Sequence, residues 1–191
     1  MKWLILFVLS VAGLETMAQT EPFRPSYVNH TEAGLLLGRV RYSNGSIQNK
    51  VESKTNVTMQ TFNGLQIKRR LAIGVTAGLD WYKTALINPL SAGVRYDFAG
   101  KRQVRLFATG DAGYGFAWFH QDSDGYKTRG GLIINPGAGI RYGRAGGTAF
   151  TIVLSYKRQE VHVNKPLLWE QTVRYEDRVY NRLAVRMGIS F

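Results

Sequence analysis

The chain has 191 residues, with 25 Lys and Arg against 13 Asp and Glu, a formal net charge of +12 and no cysteine. This length suits one domain, and the lack of cysteine excludes disulfide bonds and thiolate metal sites. A basic balance often indicates nucleic acid. Here the basic residues are scattered through alternating segments and turns, with no basic helix and no recognised motif, so we expect no nucleic-acid partner.

The first 18 residues have the pattern of a secretory signal peptide. Lys2 supplies a basic start, residues 3–14 are apolar and uncharged, and the small residues Thr16 and Ala18 precede the expected cleavage site. The apolar run is too short to span a bilayer. We therefore predict a signal peptide over residues 1–18 and an exported mature chain.

After the signal peptide the sequence alternates with the period of two that is typical of β-strands, and no segment has a convincing helical period. In the run from Leu71 to Trp81, for example, large apolar residues occupy one face and small or charged residues the other. Turn residues separate such runs. Eight strands are predicted, near residues 32–42, 55–67, 70–82, 85–98, 103–119, 130–143, 148–162 and 175–191.

The last strand indicates what surrounds these faces. From Leu183 to Phe191 every second residue is apolar, while Arg182 and Arg186 occupy the opposite face. A soluble protein seldom places two arginines on the face that would be its core. A transmembrane barrel does so, because its lipid-facing side must be apolar and its lumen can be polar.

The connections between the predicted strands support the same fold. Short turns near residues 67–70, 99–102 and 143–147 alternate with longer polar loops at 43–54, 120–129 and 164–174, and aromatic residues cluster near strand ends. We predict an all-β fold, an eight-stranded antiparallel up-and-down transmembrane β-barrel over residues 32–191. Residues 19–31 are expected to form a periplasmic N-terminal segment.

The signal peptide, the eight alternating strands and the terminal Phe191 resemble the small outer-membrane β-barrel family of OmpX and the OmpA transmembrane domain, and more narrowly the PorT-like proteins of Bacteroidota. The resemblance covers the whole mature chain. It implies a location in the bacterial cell outer membrane. It also implies that the barrel-assembly machinery reads the C-terminal strand, with Phe191 as the assembly signal.

The inward faces of the predicted strands carry charges that must find partners, because an unpaired buried ion is costly. A packed polar core that fixes the barrel shape is the preferred interpretation, and a small anion-selective pathway is the alternative. The residues of this predicted lumen network are Arg95, Arg105, Arg141, Arg182, Arg186, Asp80, Asp97 and Asp111.

Catalytic and metal-binding patterns are weak. His30, His120 and His162 lack metal-ligand spacing, so no metal and no cofactor are expected. His30 precedes the first predicted strand and is interpreted as an ordinary rim residue. Two barrel families of this size modify lipid A, but the serine two places after His162 that a deacylase-like pattern needs is missing. We expect no enzymatic activity and keep a lipid A enzyme as a lesser alternative.

The predicted role is therefore structural or interactive, with a closed polar lumen and exposed loops. The expected partners are outer-membrane lipid, lipopolysaccharide and an unidentified surface ligand. Cations in or beside the long loops could contact lipopolysaccharide phosphates. The candidates are Lys50, Lys54, Lys127, Arg129, Lys165 and Arg174.

Overall fold

The computed structural model describes residues 23–44, 47–82, 85–101, 103–118, 127–144, 147–165 and 174–191. The predicted signal peptide, residues 1–18, lies outside these ranges. Within the described residues, no helix is long and apolar enough to cross a membrane.

The described residues form antiparallel β-strands. The strands are β1 Ser26–Asn44, β2 Ile47–Lys68, β3 Leu71–Tyr82, β4 Ala85–Lys101, β5 Val104–Phe116, β6 Lys127–Arg129, β7 Gly131–Gly143, β8 Ala149–Lys165 and β9 Arg174–Ser190. Only Gly130 separates β6 from β7, and both pair with β8. They therefore act as one interrupted strand, and the barrel has eight strand positions.

The sheet closes on itself. Each long strand pairs antiparallel with its neighbour in the chain, and β9 pairs with both β8 and β1. We followed the paired residues from strand to strand, starting at Ser26 on β1. After one turn around the barrel the row of paired residues returns to β1 at Leu36, ten residues farther along the strand. This stagger tilts the strands and leaves an interior just wide enough for side chains. The predicted fold class is confirmed.

The two faces of the wall differ in polarity, as the sequence predicts. On β3, Ile73, Val75 and Leu79 are exposed on the outside, whereas Thr76 and Asp80 are buried in the lumen. The other long strands repeat the pattern. The outside is therefore an apolar belt around a polar interior, the arrangement that a barrel in a bilayer requires.

The two ends of the barrel also differ. The end that carries Ser26 and Phe191, called the terminal end below, has short turns such as Arg69–Arg70. The opposite end is called the loop end. Exposed aromatic side chains mark both ends, with Tyr142 and Phe191 at the terminal end and Trp118 at the loop end. This distribution suits the two interfaces of a membrane.

The first strand is longer than predicted. It begins at Ser26, six residues before the predicted start at 32. Residues from Ser26 onward pair with β2, and the Asn29 main chain exchanges two hydrogen bonds with that of Phe191, at 2.8 and 3.0 Å. The outward residues here, Asn29 and Thr31, are polar, so this part of the strand lacks the alternation that revealed the others.

The predicted loop at 43–54 is wrong in extent. β1 continues to Asn44 and β2 begins at Ile47, so most of these residues lie in a paired hairpin. The polar composition that suggested a loop is compatible with a strand, because the ladder is made by backbone groups and needs no apolar side chain outside the membrane.

A charge on the belt should destabilise the barrel according to its depth. Leu154 lies near the middle of the outward apolar run of β8, from Phe150 to Tyr156. We expect Leu154→Arg to lower the free energy of unfolding in phospholipid vesicles by about 2–4 kcal/mol, and Tyr142→Arg at the terminal end by about 0–1 kcal/mol. Urea titrations would measure both. Equal losses at the two positions would contradict the placement of the belt.

Candidate functional site

Three buried ion pairs lie in the lumen. Each joins residues from different strands, and the side chains of all six are 0–2% exposed. The pairs are Arg95 with Asp111 at 2.9 Å, Lys157 with Asp80 at 2.7 Å and Arg186 with Glu32 at 2.9 Å. Because both ions of each pair have left water, these contacts stabilise the barrel only if the surrounding groups complete their hydrogen bonds.

Neutral polar side chains provide many of those bonds. Asp111 accepts hydrogen bonds from Thr76 at 2.7 Å and from Asn135 at 3.2 Å. Thr58 donates to Asp80 at 2.6 Å. Arg186 donates to Ser155 at 2.8 Å, and Gln60 donates to Glu32 at 3.3 Å. Ser155 donates to Asn135 at 2.8 Å, so the Arg95–Asp111 and Arg186–Glu32 pairs belong to one connected network, in which a charge is more strongly held than in an isolated pair.

Aromatic and basic groups fill the lumen toward the terminal end. The His30 ring lies between Phe62 and Phe107, with centroid distances of 5.8 and 5.6 Å. The Arg95 guanidinium lies 4.3 Å from the Phe62 centroid, and that of Arg141 lies 5.0 Å from the Phe107 centroid. Cations over aromatic faces are attracted by the ring quadrupole.

His30 is therefore not the rim residue predicted from the sequence. It belongs to β1 and is 1% exposed. Its Nε2 atom lies 3.0 Å from the Nη2 atom of Arg141. Arg141 also donates to Asp97 at 3.2 Å, and Arg105 lies 3.8 Å from the same carboxylate. Strand β1 starts earlier than predicted, and this brings His30 into the lumen.

An apolar cluster fills the lumen toward the loop end. Leu36, Ile87 and Val161 pack together there and are almost fully buried, with Ala184 and Tyr82 beside them. The Tyr82 ring stacks on Tyr180 at 4.4 Å, and the Arg182 guanidinium lies 5.6 Å from the Tyr180 centroid. A β-carbon at Gly38 would overlap the Arg182 guanidinium, so this glycine makes room for the long side chain.

The structure places all eight predicted lumen charges inside the barrel. Asp80, Arg95, Asp111, Arg182 and Arg186 are buried, whereas Arg105, Arg141 and Asp97 are partly buried. Sequence reasoning left Lys157 and Glu32 out of the network. Lys157 lies two residues after Ser155 and therefore on the same inward face of β8, and this period of two is sufficient to predict its place in the lumen. Glu32 lies in β1, where the run Leu35–Leu37 fits either face.

The backbone register places all six predicted lipopolysaccharide contacts toward the loop end and gathers four of them on neighbouring strands. Lys127 pairs with Asn164, Arg129 with His162, and Lys165 with Arg174. Lys127, Arg129, Lys165 and Arg174, called the basic rim below, thus lie on the neighbouring strands β6, β8 and β9. Lys50 and Lys54 lie on β2, and Lys54 is half-buried. The side chains of Lys50, Lys127, Lys165 and Arg174 lie outside the described residues.

Aromatic rings lie directly below the basic rim. Phe116 stacks on Trp118 at 4.3 Å and lies 4.9 Å from Tyr114, whose hydroxyl donates to the Gly130 carbonyl at 2.7 Å. These rings border an open groove of about 530 Å³ with Arg129, which is exposed. A cation above a set of rings is suited to an amphiphile with an anionic head.

The described residues contain no group of three or more His, Asp or Glu side chains that could hold a metal ion. His162 is exposed on β8. His120 lies outside the described residues.

Solved structures that align with this chain include outer-membrane proteins. The crystal structure of the outer membrane protein OprG from Pseudomonas aeruginosa aligns with 86% of this chain and 93% of that chain, at a TM-score of 0.57 and 10% identity. The N-terminal β-barrel domain of Pseudomonas aeruginosa OprF aligns with 88% of this chain and 98% of that chain, at a TM-score of 0.48 and 14% identity.

The likeness to OprG is one of fold. No protein-family model matches the chain, and no curated protein matches it in sequence. The chain has the fold of a small outer-membrane β-barrel. Combined with the apolar belt, this fold places the protein in the bacterial outer membrane.

Breaking a buried pair in the lumen should cost more than breaking an exposed one. Asp80→Asn leaves Lys157 as an unpaired buried cation, so we expect a loss of about 3–5 kcal/mol in the free energy of unfolding, much of which Asp80→Asn with Lys157→Met should restore. The control is Glu160→Gln, which removes the exposed partner of Arg158 at 3.0 Å and should cost less than about 1 kcal/mol. Failure of the double variant to recover stability would contradict the pairing.

Proposed function

We propose that the protein is a closed, non-enzymatic barrel that anchors in the outer membrane and presents a basic surface to lipopolysaccharide at the loop end. The observation that carries this proposal is the filling of the lumen by side chains toward both of its ends. A barrel without a water-filled path cannot serve as a porin, so its outer surfaces remain as the places where it can act.

Two layers of the lumen support closure. At the terminal end the rings of Phe62, His30 and Phe107 lie side by side across the interior, and arginines cover two of them. At the loop end the apolar cluster around Leu36 and Ile87 is almost fully buried. An ion would have to pass both layers. An interior of eight strands is normally filled by side chains in this way.

The basic rim supports contact with lipopolysaccharide. Its four residues lie at the end of the barrel opposite the short turns, the side that faces the outer leaflet in barrels of this kind. Each cation alone is worth little in water. Four on neighbouring strands, above the rings of Phe116 and Trp118, can bind lipid phosphates together while the rings contact acyl chains.

Two finer assignments belong to the same proposal. Phe191 directly follows β9, and its main chain is hydrogen-bonded to that of Asn29 on β1. Recognition of this C-terminal strand by the barrel-assembly machinery would therefore involve the pairing of β9 with β1 that closes the barrel. Membership of the PorT-like proteins of Bacteroidota is proposed from the resemblance of the sequence.

Conductance tests closure directly. In planar bilayers we expect the wild-type barrel to give no single-channel steps. We expect Phe62→Ala, Phe107→Ala and Leu36→Ala together to introduce a leak, because the combined variant removes part of both layers that close the lumen. Steps in the wild type that lose anion preference on Arg141→Gln or Arg186→Gln would contradict closure and favour the anion-pathway alternative.

Retention of lipopolysaccharide tests the basic rim. We expect the triple variant Lys127→Gln, Arg129→Gln, Lys165→Gln to lower affinity for lipopolysaccharide in detergent by about tenfold, and wild-type binding to weaken as salt rises, because the contacts are between charges. The matched control removes three cations at the terminal end, with Arg69→Gln, Arg70→Gln and Lys101→Gln. Equal effects of the two triples would indicate attraction by net charge alone.

A further inference from the structure

The apolar belt is interrupted by five polar side chains on the outward face of β1 and β2. They are Tyr27, Asn29, Thr31, Thr61 and Asn63, called the outer polar cluster below. On the same face, Leu65 lies toward the terminal end and Met59 toward the loop end, and both are exposed. The cluster therefore lies within the belt. Polar groups facing hydrocarbon are costly and usually mark a function.

The hydrogen bonds within the cluster leave the amide nitrogen of Asn63 with only a weak partner. The Asn63 carbonyl oxygen accepts from Tyr27 at 2.5 Å and from Asn29 at 2.8 Å. Thr31 donates to the Asn29 carbonyl oxygen at 2.9 Å and lies 3.0 Å from Thr61. The Asn63 amide nitrogen has only a long contact of 3.5 Å, to Thr61. Asn63 is exposed, so this N–H group can bind an acceptor from outside.

A trough in the outer wall begins at this donor. It has a volume of about 890 Å³ and runs across β2, β3, β4, β5 and β7. It is called the outer trough, and its lining includes Asn63, Leu65, Val75, Ala92, Gly110 and Ile134. Its floor is low because Ala92 and Gly110 are small, and a β-carbon at Gly110 would meet no atom within 4 Å. Among its lining residues only Asn63 and Asp111 have polar side chains, and Asp111 is buried in the lumen, so Asn63 is the polar group exposed beside the trough.

We propose that the outer trough and the outer polar cluster together bind one phospholipid of the periplasmic leaflet. An acyl chain lies in the trough, and the ester carbonyl of that chain accepts a hydrogen bond from the Asn63 amide. Because the site lies within the belt, its occupant is a membrane lipid. The Asn63 amide supplies an N–H donor, so the lipid group that it binds must be a hydrogen-bond acceptor. The terminal end, where the turns are short, faces the periplasm. This site is separate from the lumen and from the basic rim.

Native mass spectrometry of the purified barrel in detergent tests this proposal with two lipids. Diester phosphatidylethanolamine has the acceptor, and its diether analogue lacks the carbonyl. We expect one bound lipid, held about fivefold to tenfold more tightly as the diester, the effect of one hydrogen bond. Asn63→Leu should remove this preference. Gly110→Leu should weaken binding of both lipids, because its side chain occupies the trough.

Two matched variants control for general effects on the belt. Asn181→Leu removes another exposed, outward amide, and Ala138→Leu enlarges an outward residue outside the trough. Both should bind lipid as the wild type does. Equal affinity of the wild type for the diester and diether lipids would overturn the proposal. This comparison uses only the wild type and does not depend on whether the variants fold. So would a dimer that depends on Asn63, since a second copy would then be the occupant.

Discussion

A strand in hydrocarbon must pair every backbone donor and acceptor with another strand, and this constraint decides the rest of the structure. The wall is complete only because β9 pairs with β1, where Asn29 and Phe191 exchange main-chain hydrogen bonds. Closure with eight strands and a stagger of ten residues also sets the width of the lumen. That width holds side chains and their partners, so each inward residue must be polar and paired, or apolar and packed.

The lumen is filled in layers. Ion pairs occupy its middle, aromatic rings with arginines its terminal end, and an apolar cluster its loop end. Long basic side chains fit because small residues lie opposite them, as Gly38 does for Arg182. The network joins residues far apart in sequence, such as Glu32 and Arg186. The strands therefore pair in one specific register, because a slip of one residue would turn these charged side chains toward the lipid.

The sequence reveals the parts of this fold in which alternation is strong. Residues 183–191 predict a strand with one lipid-facing side, and their arginines predict a polar lumen. The start of β1 could not be found in this way, because Asn29 and Thr31 make its outward face polar as well. The pairing of Glu32 with Arg186 depends on a register that passes around the whole barrel. The polar residues of 43–54 resemble a loop, although the described ones among them lie in the hairpin of β1 and β2.

We propose that the outer wall, and not the lumen, is the functional surface of the protein. A direct test of its central claim uses single cysteines on β8, which is practical because the chain has none. Nitroxides attached from Phe150 to Lys157 would be measured in bilayers for collisions with oxygen and with a water-soluble nickel complex. We expect oxygen accessibility to alternate with a period of two, high at Ile152 and Leu154, and Thr151 and Ser155 to be protected from both reagents. Access of the nickel complex to Thr151 and Ser155 would contradict a filled lumen, and a lack of alternation would contradict the two-sided wall.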